Sequence, residues 1–528
     1  MRPRRFFFLS VLLLSLVGCD LLSGDQPANP AAQFDVNRES AIFLRGGQPR
    51  TLDPALTHEG PSSMLGHIFS GLVTLDTNMQ VRPDLAAGWT VSEDGTVYTF
   101  YLRKNALWHN GRPLTAQDII YSWERATDPA TGSDTAQSYL GDILGVGARL
   151  AGTAESISGL RAIDDHTLEV RLEAPVIYFL AKLAYPVTFV VDRENVTQAD
   201  WEHRANGTGP FRLQVWQDDE IMVLARHEAY YGAPAQVAHL VILMGPGLSL
   251  AMYEQDEVDL VAIGGDALAR AQDANNPLAA ELRMVVDMCT ATIGLNNRRP
   301  PFDDVRVRQA FNYGLDKERL IEIFADGNGL VARGALPPGM PGFSDDLVGY
   351  PYDPERARRL LAEYGELGPV TFTVAGYDDV DAYTTAVISM WQEKLGVTIE
   401  PLLIDPFIFL DELYGGNTGH IFSAGWCADY PDPQNFLDVL YHSQSQQNLS
   451  AFADANVDQL LVQARVERDI ATRLSLYQEA ERLIVAQAPV VFVSHGASAV
   501  LVKPRLQNYV LTPIGVTQWH KVSLNNDP

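Results

Sequence analysis

The sequence predicts an α/β fold, on the basis of three observations. The chain has 528 residues, 46% of them hydrophobic, which suffices for about three or four domain-sized units. Strand-like alternation of apolar and polar residues marks the N-terminal half, as in Val97–Leu102. In the C-terminal half, strand-like Val370–Val374 leads into a helical stripe that ends at Gly396, and Val397–Ile399 is again strand-like. Such a β-α-β unit favours a largely parallel sheet there.

The N-terminal half contains two strands of this type with a helix between them. Val97–Leu102 follows the turn Glu93–Gly95, and Thr167–Leu172 follows a second turn. Thr115–Asp118 has the form of a capping box, which predicts a helix that stops before Asp128.

Three aspartates predict helix starts in the C-terminal half. Asp303 and Asp316 are expected to cap consecutive helices. Asp353 is followed by a proline, which favours the first helical position, and this helix is expected to end at Gly365.

Beyond the β-α-β unit, a strand predicted over Ile421–Ala424 runs into Gly425–Asp429. Ligands of open α/β sheets lie beyond the carboxyl ends of strands, so this segment is a candidate binding site. The sequence contains no zinc-protease pair, no Gly-Lys phosphate loop, no complete nucleophile elbow and no Cys/His cluster with metal spacing. We therefore expect no catalytic residue, no metal and no cofactor.

The N-terminus has the form of a bacterial lipoprotein signal. Phe6–Gly18 is apolar after a basic head, and as a helix it would span about 20 Å, too short for a bilayer core of ~30 Å. Leu16–Cys19 resembles the lipobox, which predicts removal of 1–18, lipidation of Cys19 and a flexible leash over 19–33. Asp20 resembles an inner-membrane retention signal. An ordinary signal peptide with a chance Cys is the alternative.

The net charge limits the classes of binding partner, and the cysteine content limits the possible disulfides. A formal net charge of −27 argues against nucleic acid and against a basic membrane-binding face. If Cys19 is lipidated, Cys289 and Cys427 remain as an even pair in an oxidising compartment, either bridged or as two buried thiols.

Several segments, in the same order, resemble the family 5 extracellular solute-binding proteins, the ligand-capturing subunits of ABC importers. These segments are Leu52–Pro54, Val81–Ala86, Phe100–Lys104, Tyr121–Arg125, Ala162–Val170, Pro300–Arg308, Gly425–Tyr430 and Leu501–Pro504. The resemblance implies a two-lobed periplasmic-binding-protein clamp of type II-like topology, with an additional α/β domain. The implied division is lobe I over 34–69, 193–288 and 498–528, the extra domain over 70–192, and lobe II over 289–497.

The resemblance also implies a site. Cys289 and Cys427 match the pair that is disulfide-linked in such binders, and Asp429 matches the carboxylate that pairs with the ligand's α-ammonium. The alternative for Asp429 is a cap of the turn before Pro431. Besides Asp429, we assign ligand contacts to six residues. They are Ser423, Ala424, Gly425 and Trp426 of the strand, and Glu59 and Gly60 of the N-terminal segment.

Two departures from the family pattern concern the ligand's other end. Ser423 stands where the family has an arginine able to take a peptide carboxylate, and Ala291–Ile293 replaces aromatic residues. We therefore expect a monomeric, periplasmic, inner-membrane lipoprotein that captures peptides and delivers them to an ABC permease without chemistry of its own. In an envelope with a single membrane it would lie at the cell surface. The alternatives are a binder of another amine-bearing or cationic solute and a lipoprotein hydrolase.

Overall fold

The computed structural model describes residue 34 and residues 36–60 and 63–525. The predicted signal over 1–18, the lipidation residue Cys19 and the leash over 19–33 lie outside the described residues. Within the described ranges, no helix is both long and apolar enough to cross a membrane.

The strands, numbered in chain order, are β1 Ala41–Arg45, β2 Val73–Leu75, β3 Val81–Pro83, β4 Ala86–Val91, β5 Val97–Leu102, β6 Leu160–Asp164, β7 Thr167–Arg171, β8 Phe211–Gln217, β9 Ile221–Arg226, β10 His239–Leu243, β11 Leu260–Ala262, β12 Leu282–Val286, β13 Cys289–Leu295, β14 Gly329–Val331, β15 Val370–Ala375, β16 Ile399–Ile404, β17 Ile421–Cys427, β18 Val490–Val502, β19 Leu506–Gln507 and β20 Ser523–Leu524.

The α-helices are α1 Leu65–Ile68, α2 Ala116–Ala126, α3 Ala136–Leu140, α4 Val146–Leu150, α5 Phe179–Lys182, α6 Ser249–Glu254, α7 Gly265–Gln272, α8 Val305–Tyr313, α9 Lys317–Phe324, α10 Pro354–Tyr364, α11 Ala382–Leu395, α12 Phe409–Tyr414, α13 Gln434–Tyr441, α14 Ala455–Val466 and α15 Ile470–Gln487.

Helix starts follow the predicted caps at all but one position. The Thr115 N–H donates to Asp118 Oδ2 at 2.8 Å, which closes the capping box of α2. Asp316 and Asp353 cap α9 and α10 through their side chains. The prediction that Asp303 caps α8 is wrong: Asp304 takes that position, since its Oδ1 accepts from the Arg306 N–H at 2.8 Å.

One long strand connects the two halves of the main sheet. This sheet runs β16-β15-β17-β13-β18-β11-β1-β10-β9-β8, and β12 and β14 also pair with β18. The thirteen residues of β18 span about 43 Å. Its first part pairs with β13, whereas its last part pairs with β11 and β12. The strand therefore belongs to both halves.

The chain crosses between the halves a second time beside β18, in the short link from β12 to β13. The Asp287 N–H donates to the Gly496 carbonyl at 3.0 Å, and Ser498 Oγ donates to Asp287 Oδ2 at 2.9 Å. The Met288 N–H bonds to the Pro513 carbonyl at 2.8 Å. Two adjacent crossings are the connection expected between the lobes of a clamp.

The C-terminal half of the sheet is mixed, so the expectation of a largely parallel sheet there is wrong. The β-α-β unit is present, with β15 parallel to both β16 and β17. However, β13 is antiparallel to β17 and to β18, and β14 is antiparallel to β18. The reason lies in β13, which follows β12 after a link of two residues and therefore enters the sheet without a helical crossover. It runs opposite to both of the strands that flank it, β17 and β18.

A separate four-stranded antiparallel sheet, in the order β4-β5-β7-β6, lies within the range assigned to the extra domain. Its apolar face packs under α2, with Phe100, Trp108 and Trp123 fully buried. The boundaries of the three predicted domains stay a proposal.

Candidate ligand-binding cleft

The candidate site is built on β17, which extends three residues beyond its predicted end at Ala424. Pairing with β13 continues to Cys427, which lies directly opposite Cys289. The two cysteines are joined in a disulfide, with Cα atoms 4.0 Å apart. The covalent link and the strand ladder together hold the segment before Asp429 in place.

Asp429 is half-buried just beyond β17, and its carboxylate is held by two side chains. The Tyr139 hydroxyl donates to Asp429 Oδ2 at 2.5 Å, and Asn435 Nδ2 donates to the same oxygen at 3.2 Å. Burial raises the pKa of Asp429 to about 6, while these two hydrogen bonds act to lower it.

The backbone around Asp429 is fixed by the same amide. Asn435 Oδ1 accepts from the Asp429 N–H at 2.9 Å and from Trp426 Nε1 at 3.2 Å. The turn before α13 is instead capped by Asp432, whose Oδ1 accepts from the Gln434 N–H. The hydrogen bonds of Asp429 in the described structure therefore orient its carboxylate and do not cap the turn.

Asp429 differs from the neighbouring buried acids because it has no cationic partner within 4.0 Å among the described residues. Asp432 forms a two-bond ion pair with Arg473, at 2.7 and 2.9 Å, and Asp438 pairs with Arg465. A partly buried carboxylate without a counter-charge is energetically unfavourable, so it favours the arrival of a cation.

Gly60 of the N-terminal segment lies beside Asp429, and Glu59 precedes it in the chain. A Cβ atom on Gly60 would lie 3.4 Å from Asp429 Oδ1, so a larger residue there would fill the space beside the carboxylate. Burial raises the pKa of Glu59, and the charge of Arg50 lowers it. Burial is the main cause that raises the pKa of the Tyr185 hydroxyl. The charge of Asp429 raises it next, and the charge of Glu59 raises it more weakly, so both carboxylates lie near this ring.

Tyrosine rings form the wall contributed by the extra-domain region. Tyr139 stacks on Tyr185 with ring centroids 3.7 Å apart, and it meets Tyr430 edge-on at 6.4 Å. The ring of Tyr178 lies parallel to that of Tyr430, with centroids 6.3 Å apart, and the Arg473 guanidinium lies 5.6 Å from the Tyr178 centroid. The wall therefore contacts the Asp429 segment directly.

The outer edge of β17 is open beside this carboxylate. Its neighbour β15 pairs only with Ile421 and Phe422, and no described strand pairs with Ser423–Cys427 on that side. Gly425 is exposed and Ser423 is half-buried. The structure thus brings these predicted residues together: an open backbone edge leads to Asp429, Gly60 lies beside its carboxylate, and Glu59 lies near Tyr185.

The strand floor carries no cationic side chain. Ser423 lies opposite Ile293, and Ala424 lies opposite Thr292. Trp426 packs against the large apolar cluster and donates to Asn435, so it supports Asp429. This part of β13 and β17 therefore has no cationic side chain that could pair with a ligand carboxylate.

Sequence reasoning missed Tyr139, Tyr185 and Asn435. Tyr139 is 290 residues from Asp429 along the chain, and no local pattern marks it or Tyr185. Asn435 could have been found, because it lies in the first turn of an apolar helix that directly follows the predicted site.

These features define a class, the two-lobed solute-binding proteins that enclose a ligand between lobes. Residues 80–448 match the family described as "Bacterial extracellular solute-binding proteins, family 5 Middle". The periplasmic oligopeptide-binding protein OppA of Escherichia coli K12 is 31% identical over 524 residues, covering 94% of this chain and 95% of that protein. The probable deoxycholate-binding periplasmic protein YgiS of the same organism is 31% identical over 521 residues, with the same coverage.

The fold agrees with solved structures as well. The murein tripeptide binding protein MppA of E. coli superimposes with a TM-score of 0.80 at 25% identity, covering 93% of this chain and 99% of that one. The chain belongs to family 5 of the bacterial extracellular solute-binding proteins, and the predicted α/β clamp is confirmed. The similar proteins are periplasmic binding proteins, several of which bind peptides.

Proposed function

We propose that this protein captures peptides between its lobes and delivers them to an ABC permease. The observation that carries the proposal is the partly buried Asp429 carboxylate, oriented by Tyr139 and Asn435 and without a cationic partner in the described structure. The α-ammonium of a peptide supplies the missing charge. Glu59, which precedes Gly60 and lies near Tyr185, adds a second negative charge at the same end.

The peptide main chain would extend along the open edge of β17. Backbone groups of Ser423–Cys427 can pair with an added strand, which gives affinity without reading side chains. Closure of the lobes removes water from the ammonium–carboxylate pair and strengthens it. Affinity would then depend on the free amine and the main chain, and the protein would carry out no chemistry.

The ligand carboxylate is expected to contribute little. Ser423 cannot form an ion pair, and the floor strands contain no arginine or lysine. This feature also favours a second candidate, an amine-bearing or cationic solute that is not a peptide. A bile acid, the ligand named for one relative, brings an anion and no amine, so Asp429 would disfavour it.

Targeting is part of the proposal. Lipidation at Cys19 after removal of 1–18, with Asp20 retaining the protein at the inner membrane, would place the binder beside its permease as a tethered monomer. Mass spectrometry of the purified mature N-terminus should find a lipidated Cys19, and Cys19→Ser should release the protein from membranes. An unmodified Cys19 would contradict this part.

Calorimetry with trialanine and its end-blocked forms tests the binding mode. We expect N-acetylation to abolish measurable binding and C-terminal amidation to change the affinity by less than about threefold. Strong loss on amidation alone would contradict the proposed polarity. Recovery of intact peptide after prolonged incubation is expected, whereas turnover would support a hydrolase.

A further inference from the structure

A second cavity of about 240 Å³ lies outside the cleft. It is lined by the segment around α1, by the β2–β3 hairpin, by residues near Tyr231 and by the C-terminal segment 516–521. None of its lining residues comes from 289–497, and neither Glu59 nor Gly60 contributes. The cavity is therefore a separate feature of the molecule, shared by lobe I and the extra-domain region.

Ser63 is a buried polar group on the cavity wall. Its residue is only 8% exposed, and its hydroxyl has no hydrogen-bond partner among the described residues. An unsatisfied buried hydroxyl costs about 1–3 kcal/mol, so its presence indicates a use for a donor at this position.

Two cationic side chains line the cavity without a carboxylate partner in the described ranges. Arg103 donates through Nε to the Asp84 carbonyl at 2.6 Å, and its guanidinium lies 5.7 Å from the Tyr231 ring centroid. Lys521 donates to the Gln518 amide oxygen at 2.6 Å. In a chain with 66 acidic and 39 basic residues, two cations at one cavity that form no ion pair within 4.0 Å among the described residues are unexpected.

Two imidazoles add neutral donors. Burial lowers the pKa of His67 to about 3 and that of His520 to about 4, so both rings are neutral at neutral pH. The ring nitrogens of His67 and His520 make no hydrogen bond in the described structure. The ring of His67 meets that of Phe211 edge-on, with centroids 6.4 Å apart. Each neutral imidazole carries one N–H that can donate to a ligand oxygen.

The remaining charged groups of the lining are Asp84 and Arg82. The Asp84 carboxylate accepts from the Tyr231 hydroxyl, and burial raises its pKa to about 6 against the charge of Arg103. Arg82 pairs with Asp76 at 2.7 Å. Positive charge and donors therefore predominate over acceptors.

We propose that this cavity binds a small anion bearing a carboxylate or phosphate group. Arg103 supplies the counter-charge, while the Ser63 hydroxyl and the imidazoles of His67 and His520 donate hydrogen bonds. The volume is small beside the ~300–1,000 Å³ of drug-sized ligand pockets, so the anion must be compact. Such a ligand would join the C-terminal segment to the α1 segment.

Thermal unfolding and calorimetry of the full chain test the proposal, with inorganic phosphate and succinate as probes and chloride at matched ionic strength. We expect a saturable rise in Tm with at least one probe. A response to phosphate alone identifies free phosphate as the source, and a response to succinate alone identifies an organic carboxylate.

Three variants make the test specific. Ser63→Ala should weaken binding of the active probe about tenfold without lowering the Tm of the ligand-free protein, because the hydroxyl has no partner to lose. Arg103→Gln should weaken it at least as much. Arg226→Gln is the matched control, since this arginine pairs with Glu228 outside the cavity.

Asp429→Asn should leave anion binding intact, because the cleft and the cavity share no residue. The proposal is overturned if neither probe gives a saturable shift, if Ser63→Ala and Arg103→Gln bind like the parent, or if Asp429→Asn abolishes the effect. If the parent protein binds the anion but binds no peptide, the proposed function alone is refuted.

Discussion

Replacing Asp429 by Asn keeps the shape of the side chain and removes its charge. The amide oxygen can still accept from Tyr139 and Asn435, so the local geometry should persist. A hydrogen bond to a charged group contributes about 1.5–3 kcal/mol, and no internal cation competes for this carboxylate within the described structure. We therefore expect about 10- to 150-fold weaker binding of a free-amine peptide.

Calorimetry with trialanine measures this loss, and the matched control is Asp378→Asn, which removes an exposed carboxylate elsewhere in the predicted lobe II.

The stability of the ligand-free protein gives a second readout. Burial raises the pKa of Asp429 above its ordinary value, so between about pH 4 and about pH 6 the folded state binds a proton that the unfolded chain has lost. The free energy of unfolding therefore falls as the pH rises from about 4 to about 6.

Asn removes this pH-dependent loss of stability, so ligand-free Asp429→Asn should unfold at neutral pH at the same temperature as the parent or higher. A purely structural carboxylate would give a lower Tm with unchanged peptide affinity. Unchanged affinity in the Asn variant would refute the amine-binding role.

The remaining predictions concern pH, closure and the disulfide. Peptide affinity should fall about tenfold between pH 7 and pH 5, since protonation of Asp429, whose pKa is raised to about 6, removes the charge that the ammonium needs; a flat calorimetric profile would contradict this. Arg468, in the predicted lobe II, donates to the backbone carbonyls of Glu93 at 2.7 Å and of Asp94 in the predicted extra domain, so we expect it to help hold the lobes closed. The variant Arg468→Gln should therefore release peptide about threefold faster in stopped-flow experiments, and an unchanged rate would refute this role. Replacing both Cys289 and Cys427 by Ser should lower the free energy of unfolding by up to about 4–5 kcal/mol, because the bridge closes 138 residues of chain; an unchanged denaturant midpoint would contradict this.

Local features of the fold were predictable because their causes are local. A capping box at Thr115 and aspartates at 316 and 353 satisfy the first N–H groups of their own helices, so neighbouring residues suffice to place them. The error at Asp303 arose because Asp304 is adjacent and equally able to cap. Only the backbone conformation, extended at Asp304, decides between them.

Features that depend on distant pairing were not predictable from local pattern. β17 continues to Cys427 because it pairs with β13, which lies more than a hundred residues earlier. The same pairing makes the sheet mixed. Tyr139 reaches Asp429 only once the extra-domain region packs against the C-terminal half, so no spacing in the sequence marks that contact.

Asp429 itself was identified through family resemblance, and physical reasoning then explained it. An aspartate after a strand is more often a turn cap, and the sequence alone could not distinguish the two roles. The structure assigns the turn to Asp432 and leaves the Asp429 carboxylate oriented by Tyr139 and Asn435. That difference decides which acid is available to a ligand.

Native mass spectrometry of the protein mixed with equal amounts of trialanine and N-acetyl-trialanine tests the central claim most directly. Asp429 is proposed to bind the free amine, so the account predicts a complex with trialanine and none with the acetylated form. Equal occupancy by the two peptides, or no complex with either, would contradict it.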